Sequence, residues 1–188
     1  MPSHIGTVVP IDSSKAMVAL VSGAYILDLQ SEELTWFASV DSTNLGTRLN
    51  DGKCDPAGRF WVGSMHWDTT DPIGGLFTVN GEGSVEQKLD GITVSNGIVW
   101  TADQKTMYYI DSNTGTIQGF DYDVSSGAIS NGRTVVTIEE TTGILDGMAI
   151  DEEGMLWVGL WNGDAVLRFN PKTGEQLQRV DVPAHNVT

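Results

Sequence analysis

Cys54-Asp55-Pro56-Ala57-Gly58-Arg59-Phe60-Trp61-Val62-Gly63 recurs without a gap 96 residues later, as Ile150-Asp151-Glu152-Glu153-Gly154-Met155-Leu156-Trp157-Val158-Gly159. Each copy reads as a tight turn opened by Asp and followed by an apolar strand. Two fainter copies are Ile11-Asp12-Ser13-Ser14-Lys15-Ala16-Met17-Val18-Ala19-Leu20 and Thr101-Ala102-Asp103-Gln104-Lys105-Thr106-Met107-Tyr108-Tyr109-Ile110. The turn aspartates are thus Asp12, Asp55, Asp103 and Asp151, at steps of 43, 48 and 48 residues. A second apolar element follows each copy and ends in Asp28, Asn80, Asp121 or Asn170, residues that open a turn by bonding their own backbone. The apolar positions alternate or run for a few residues, which is the strand period, and no long stretch has helical spacing. A repeat of ~40–50 residues with several short strands predicts propeller blades, each burying one face on the next. The expected fold is all-β, a β-propeller, with four units between about Ile5 and Val182 making a single partial propeller domain over residues 1–188. The chain reads as a piece of a larger ring.

Composition agrees. The 22 glycines and 6 tryptophans suit short strands joined by tight turns. Ten basic against 25 acidic residues leave a net charge of −15, which argues against nucleic acid and against an anionic membrane surface. It is compatible with cation binding. No apolar run reaches the ~20 residues of a membrane span. Met1-Pro2-Ser3-His4-Ile5 has neither the basic start nor the apolar core of a leader, so a cytoplasmic location is expected. The one cysteine, Cys54, excludes an internal disulfide and reads as a small buried residue.

Three polar clusters fall just before what should be the innermost strand of their units. They are Arg48-Leu49-Asn50-Asp51-Gly52, Val94-Ser95-Asn96-Gly97-Ile98 and Leu145-Asp146-Gly147-Met148. Around a central channel, Asn50, Asp51, Asn96 and Asp146 would offer converging oxygens, the donors that Ca²⁺, Mg²⁺ or Mn²⁺ prefer. Asn-Gly and Asp-Gly are also ordinary turn dipeptides, and both readings stay open. Arg48 could fork onto a ligand oxygen, although a surface charge is the plainer reading. The step from turn Asp to the second Asp or Asn is 16, 25, 18 and 19 residues, and the surplus lies in His66-Trp67-Asp68-Thr69-Thr70-Asp71-Pro72-Ile73-Gly74. That insertion follows the strand begun by the Arg48–Asp51 cluster, a place where loops on rigid blades make sites. His66 reads as a solvated loop histidine, and Trp61 and Trp157 as core. No Gly-x-Ser-x-Gly or His-Glu-x-x-His motif occurs. Asp111-Ser112-Asn113 begins like an EF-hand loop, but its glycine is out of phase and Tyr122 stands where the closing Glu belongs.

Arg48 to Met65, Ser95-Asn96-Gly97-Ile98, Tyr109-Ile110-Asp111-Ser112, Gly119-Phe120-Asp121-Tyr122-Asp123, Ser130-Asn131-Gly132-Arg133 and Asp146-Gly147-Met148 through Leu156-Trp157-Val158 together resemble the SMP-30/gluconolactonase/luciferin-regenerating enzyme family. The resemblance covers nearly the whole chain. It implies a six-bladed propeller, about four blades of it here, holding one divalent metal (Ca²⁺, Zn²⁺, Mg²⁺ or Mn²⁺) in its axial channel. It also implies hydrolysis of sugar lactones, with relatives that regenerate luciferin. By position, Asn96 and Asp146 resemble two metal ligands, and Asp146 also the general base and acid. Arg48 and Asn50 resemble substrate contacts, with Asp51 beside them. Asp68 falls where the family has a substrate-contacting Glu. The family's remaining ligand, a Glu in an early Glu-x-Pro segment, has no counterpart, since the first Glu here is Glu32.

Two functions from different classes follow. One is a metal-dependent lactone hydrolase acting on a small-molecule lactone. The other is a non-catalytic calcium-binding or interaction protein, whose open strand edges would favour edge-to-edge self-association.

Overall fold

The 96-residue offset that organises the sequence also organises the hydrogen bonding. The computed structural model describes residues 4–139 and 142–188. Met1 to Ser3, part of the stretch read as lacking a leader, lie outside the described residues. The described residues form four four-stranded antiparallel sheets, each a meander in chain order. The first holds β1 (Thr7–Pro10), β2 (Lys15–Ala19), β3 (Gly23–Asp28) and β4 (Leu34–Ser39). The second holds β5 (Thr47–Cys54), β6 (Phe60–His66), β7 (Gly74–Val79) and β8 (Val85–Ile92). The third holds β9 (Ser95–Trp100), β10 (Thr106–Asp111), β11 (Thr116–Asp123) and β12 (Ala128–Thr137). The fourth holds β13 (Ile144–Ile150), β14 (Leu156–Trp161), β15 (Ala165–Phe169) and β16 (Gln176–Asp181). There is one sheet per repeat unit, and the repeated apolar segment is the second strand of each. The all-β blade architecture of a propeller is therefore present.

The chain divides into two compact units, up to Ser95 and from Asn96 onward. In the N-terminal unit, Met17, Ala19, Leu49, Phe60, Val62 and Phe77 form a core from the first two sheets. In the C-terminal unit, Ile110, Ile117, Leu145, Val158, Leu160 and Leu167 do the same for the other two. Side chains at alternate strand positions supply these cores, which is what a period of two allows.

The turn aspartates explain why the repeat is so well kept. Asp55 Oδ1 accepts the backbone N–H groups of Ala57 and Arg59, both at 2.9 Å, while Oδ2 accepts Trp61 Nε1 at 2.9 Å and Arg59 Nη1 at 2.7 Å. Asp151 is bonded alike, by Glu153 and Met155 N–H groups at 3.0 and 2.9 Å and by Trp157 Nε1 at 3.0 Å. One carboxylate thus closes the turn and fixes the indole of the strand that follows. The cation differs in origin. Met155 stands where Arg59 was, and Arg168 reaches across from β15 to donate from Nε at 2.9 Å. Partial burial pushes the Asp151 carboxyl up, but the Met155 N–H, the Trp157 indole and the Arg168 guanidinium outweigh it and hold the pKa at about 2. The stability lent by ionised Asp151 is then complete above the ordinary value of 3.8 and is lost as pH falls toward 2. Thermal midpoints measured from pH 5 to pH 2 should fall more steeply for the native protein than for Asp151→Asn.

Three expectations are corrected. Trp157 is only partly buried, its ring lying 5.6 Å from the Arg168 guanidinium, whereas Trp61 is fully buried as expected. In the third unit the turn is opened by Asp123, which accepts Ser125 N–H at 2.8 Å, while Asp121 lies inside β11 and pairs with Arg133 at 2.9 Å. The strand there simply runs two residues past Asp121, through Tyr122 to Asp123. Cys54 is exposed, because it ends β5 at the mouth of the turn.

Candidate functional site

The polar clusters were expected ahead of strands. Instead they lie within the first strand of each sheet, and two of them sit on β-bulges of identical register. In β5, Leu49 pairs with Ser64 and Gly52 with Val62, so Asn50 and Asp51 together oppose Gly63. In β13, Leu145 pairs with Leu160 and Met148 with Val158, so Asp146 and Gly147 oppose Gly159. Two residues against one re-aims side chains that a regular ladder would alternate, which is why bulges recur beside sites. Asn50 and Asp146 are the same bulge position, 96 residues apart. Asn96, in β9, is not equivalent to them: it lies seven residues before its turn aspartate, and they lie five before theirs.

In the N-terminal unit the structure brings Arg48 and Asn50 together. Arg48 Nη1 donates to Asn50 Oδ1 at 3.0 Å and to the Leu49 carbonyl at 3.2 Å. Asn50 Nδ2 donates to the Ser95 carbonyl at 2.8 Å. Burial lowers the Arg48 pKa from its usual value, but a guanidinium stays charged. Burial pushes the neighbouring Asp51 carboxyl up, against the pull of the Gly52 N–H and Lys53. Gly6 passes so close to this strand that a Cβ there would lie 2.5 Å from the Asn50 carbonyl oxygen.

The inserted loop between β6 and β7 is held by His66 at its start and by the segment that precedes β5. His66 Nδ1 accepts the N–H groups of Thr70 and Asp71 at 3.3 and 3.0 Å, so that nitrogen serves the loop. Asn44 Nδ2 donates to the Ile73 carbonyl at 2.6 Å, and Trp67 N–H to the Gly46 carbonyl at 3.1 Å. The loop presents Trp67, with the Arg48 guanidinium 5.8 Å from its ring centroid and the His4 ring edge-on at 5.3 Å. Asp68, next along, is exposed. Trp67 was missed because an aromatic in a loop carries no periodic signal.

In the C-terminal unit the two family-like ligand residues belong to neighbouring first strands. A Cβ on Gly97 would lie 2.8 Å from the Asp146 carbonyl oxygen and 2.6 Å from Met148 Cβ, so β9 passes directly over the β13 bulge. Asn96 is buried and its Nδ2 donates to Ser112 Oγ at 2.8 Å. Ser112 Oγ donates in turn to the Leu145 carbonyl at 2.7 Å. Asp146 is half-buried. Among the described residues no group of three or more His, Cys, Asp and Glu side chains is arranged to hold a metal ion. An amide oxygen and a carboxylate are nonetheless hard donors. They suit a hard divalent cation that takes its remaining ligands from water or substrate.

Comparison with known proteins gives a consistent set. The model of the SMP-30/Gluconolactonase/LRE-like region matches residues 1–188. Regucalcin of Danio rerio is 40% identical over 186 residues, covering 98% of this chain and 63% of its own length. The chain therefore spans somewhat less than two thirds of that relative. Among solved structures, a luciferin-regenerating enzyme superposes with a TM-score of 0.94 at 31% identity, over 100% of this chain and 66% of that one. Regucalcin of Agrobacterium tumefaciens, described as a calcium-binding protein, superposes at 0.93 with 26% identity, over 99% and 63%. No helix among the described residues is long and apolar enough to cross a membrane.

Proposed function

Because the chain belongs to the SMP-30/Gluconolactonase/LRE-like family, we propose that it hydrolyses a sugar lactone with the help of a divalent cation. The observation that carries this reading is the pair of matched bulges. One lifts Asn50 beside Arg48, and the other lifts Asp146 against the strand bearing Asn96. Asn96 and Asp146 would hold the cation through an amide oxygen and a carboxylate. When bound, such an ion polarises a carbonyl and lowers the pKa of a coordinated water.

The chain's own residues supply the rest. Arg48 and Asn50 hold sugar hydroxyls, and their mutual hydrogen bond fixes both side chains before substrate arrives. Asp51 is a half-buried carboxyl with a raised pKa beside them, and Asp68 is an exposed carboxylate for an outer hydroxyl. The Asp146 carboxylate takes the proton as water adds to the lactone carbonyl carbon. It returns that proton to the ring oxygen as the acyl C–O bond breaks, leaving the open hydroxy acid.

Acid release from 1,5-gluconolactone, followed with a pH indicator, tests this. Turnover above the spontaneous rate is expected, abolished by a chelator and restored by one of Ca²⁺, Zn²⁺, Mg²⁺ or Mn²⁺. Absence of turnover, or turnover indifferent to the chelator, overturns the reading. Cation binding without turnover would leave the calcium-binding function instead.

A further inference from the structure

Ser112 has no place in the reading above, yet it bonds Asn96, one of the two residues assigned to the cation, and the carbonyl of Leu145, which immediately precedes the other. It lies in a single 3-10 turn, Ser112–Thr114, at the end of β10 and is buried. Its hydroxyl has one proton. The Leu145 carbonyl, 2.7 Å away, can only accept, so the proton lies on that line. The contact with Asn96 at 2.8 Å must then be donated by Asn96. This removes the usual ambiguity of an amide, whose oxygen and nitrogen are otherwise interchangeable. Nδ2 faces Ser112, and Oδ1 is directed away from it. The same hydroxyl grips the carbonyl of the residue immediately before Asp146, at the first position of the β13 bulge.

We infer that Ser112 is a positioning residue for a hard divalent cation. It turns the Asn96 amide so that oxygen rather than nitrogen is offered, and ties that amide to the backbone that aims Asp146. The inference rests on the cation reading above. Residues that orient ligands in this way change metal affinity by about 10- to 100-fold when removed.

Calorimetric titration of the full chain with Ca²⁺ tests it, alongside the thermal midpoint of the metal-free protein. Ser112→Ala is expected to weaken Ca²⁺ binding at least about tenfold, because the Asn96 amide loses the acceptor that fixes its orientation. A merely structural serine would lower the metal-free midpoint and leave the dissociation constant within about twofold, and that result overturns the inference while the cation reading stands. If the native chain itself shows no saturable Ca²⁺ binding, the cation reading falls and the inference with it. Should Ser112→Ala fail to fold, Ser112→Cys poses the same question. Its thiol keeps the shape but bonds poorly, so binding should weaken several-fold, and unchanged affinity counts against the inference.

Discussion

Replacing Gly63 by alanine is expected to lower the stability of the protein by about 3 kcal/mol or more, at or above the upper end of what overpacking usually costs. A Cβ on Gly63 would stand 1.7 Å from Ser95 Oγ and 2.2 Å from Ser95 Cβ, and Ser95 is almost wholly buried. No rotamer of the new side chain avoids this, since a Cβ has no torsion of its own. Ser95 must move, and its carbonyl is the acceptor for Asn50 Nδ2. The variant therefore damages the scaffold and the Arg48–Asn50 pair together. Urea unfolding measures the loss. Adding Ser95→Gly removes the clashing atoms and should recover more than half of it. The matching change Gly159→Ala should cost only about 1 kcal/mol, because its nearest neighbours are backbone atoms of Val187 and Thr188 at 3.0 Å or more. Equal costs at the two sites, or a loss under about 0.5 kcal/mol at Gly63, would show that the Ser95 contact does not constrain this position.

Asp146→Asn is expected to reduce kcat/KM for gluconolactone by about a thousandfold, within the range that general acid–base groups supply. The change keeps size and shape but removes both the charge proposed to hold a cation and the ability to carry a proton. KM should move far less than kcat if, as proposed, the hydroxyls are held by Arg48 and Asn50. Asp151→Asn, at the turn that closes the same hairpin, removes a carboxylate of the repeat and should leave kcat within about threefold. Similar losses from both variants would mean that Asp146 matters for packing alone. Unimpaired hydrolysis by Asp146→Asn would remove it from the mechanism.

The contrast between these two aspartates shows what was legible in advance. Asp151 could be read from the sequence, because its partners lie within six residues: the N–H groups of Glu153 and Met155 and the indole of Trp157. Its guanidinium could not, because Arg168 arrives from another strand while Arg59 serves Asp55 from the same turn. Asp146 was singled out by family likeness and by its place in a repeated polar cluster. That it sits on a bulge inside β13, rather than ahead of a strand, depends on the pairing with β14. Asp121 misled because a turn residue and a strand residue of the same type look alike until the length of β11 is known. Cys54 misled for a similar reason, since the last two positions of β5 open to solvent while Gly52 before them and Asp55 after them are buried.

By itself the sequence determined the four-fold repeat, the all-β class and the position of every second strand. These follow from turn chemistry and a period of two, which act between residues a few positions apart. Only the tertiary structure decided that Gly63 meets Ser95, that Asn50 and Asp146 share a bulge register, and that Ser112 joins Asn96 to the carbonyl of Leu145. Those contacts span 16 to 33 residues and depend on which strands lie side by side, so local preference carries no trace of them.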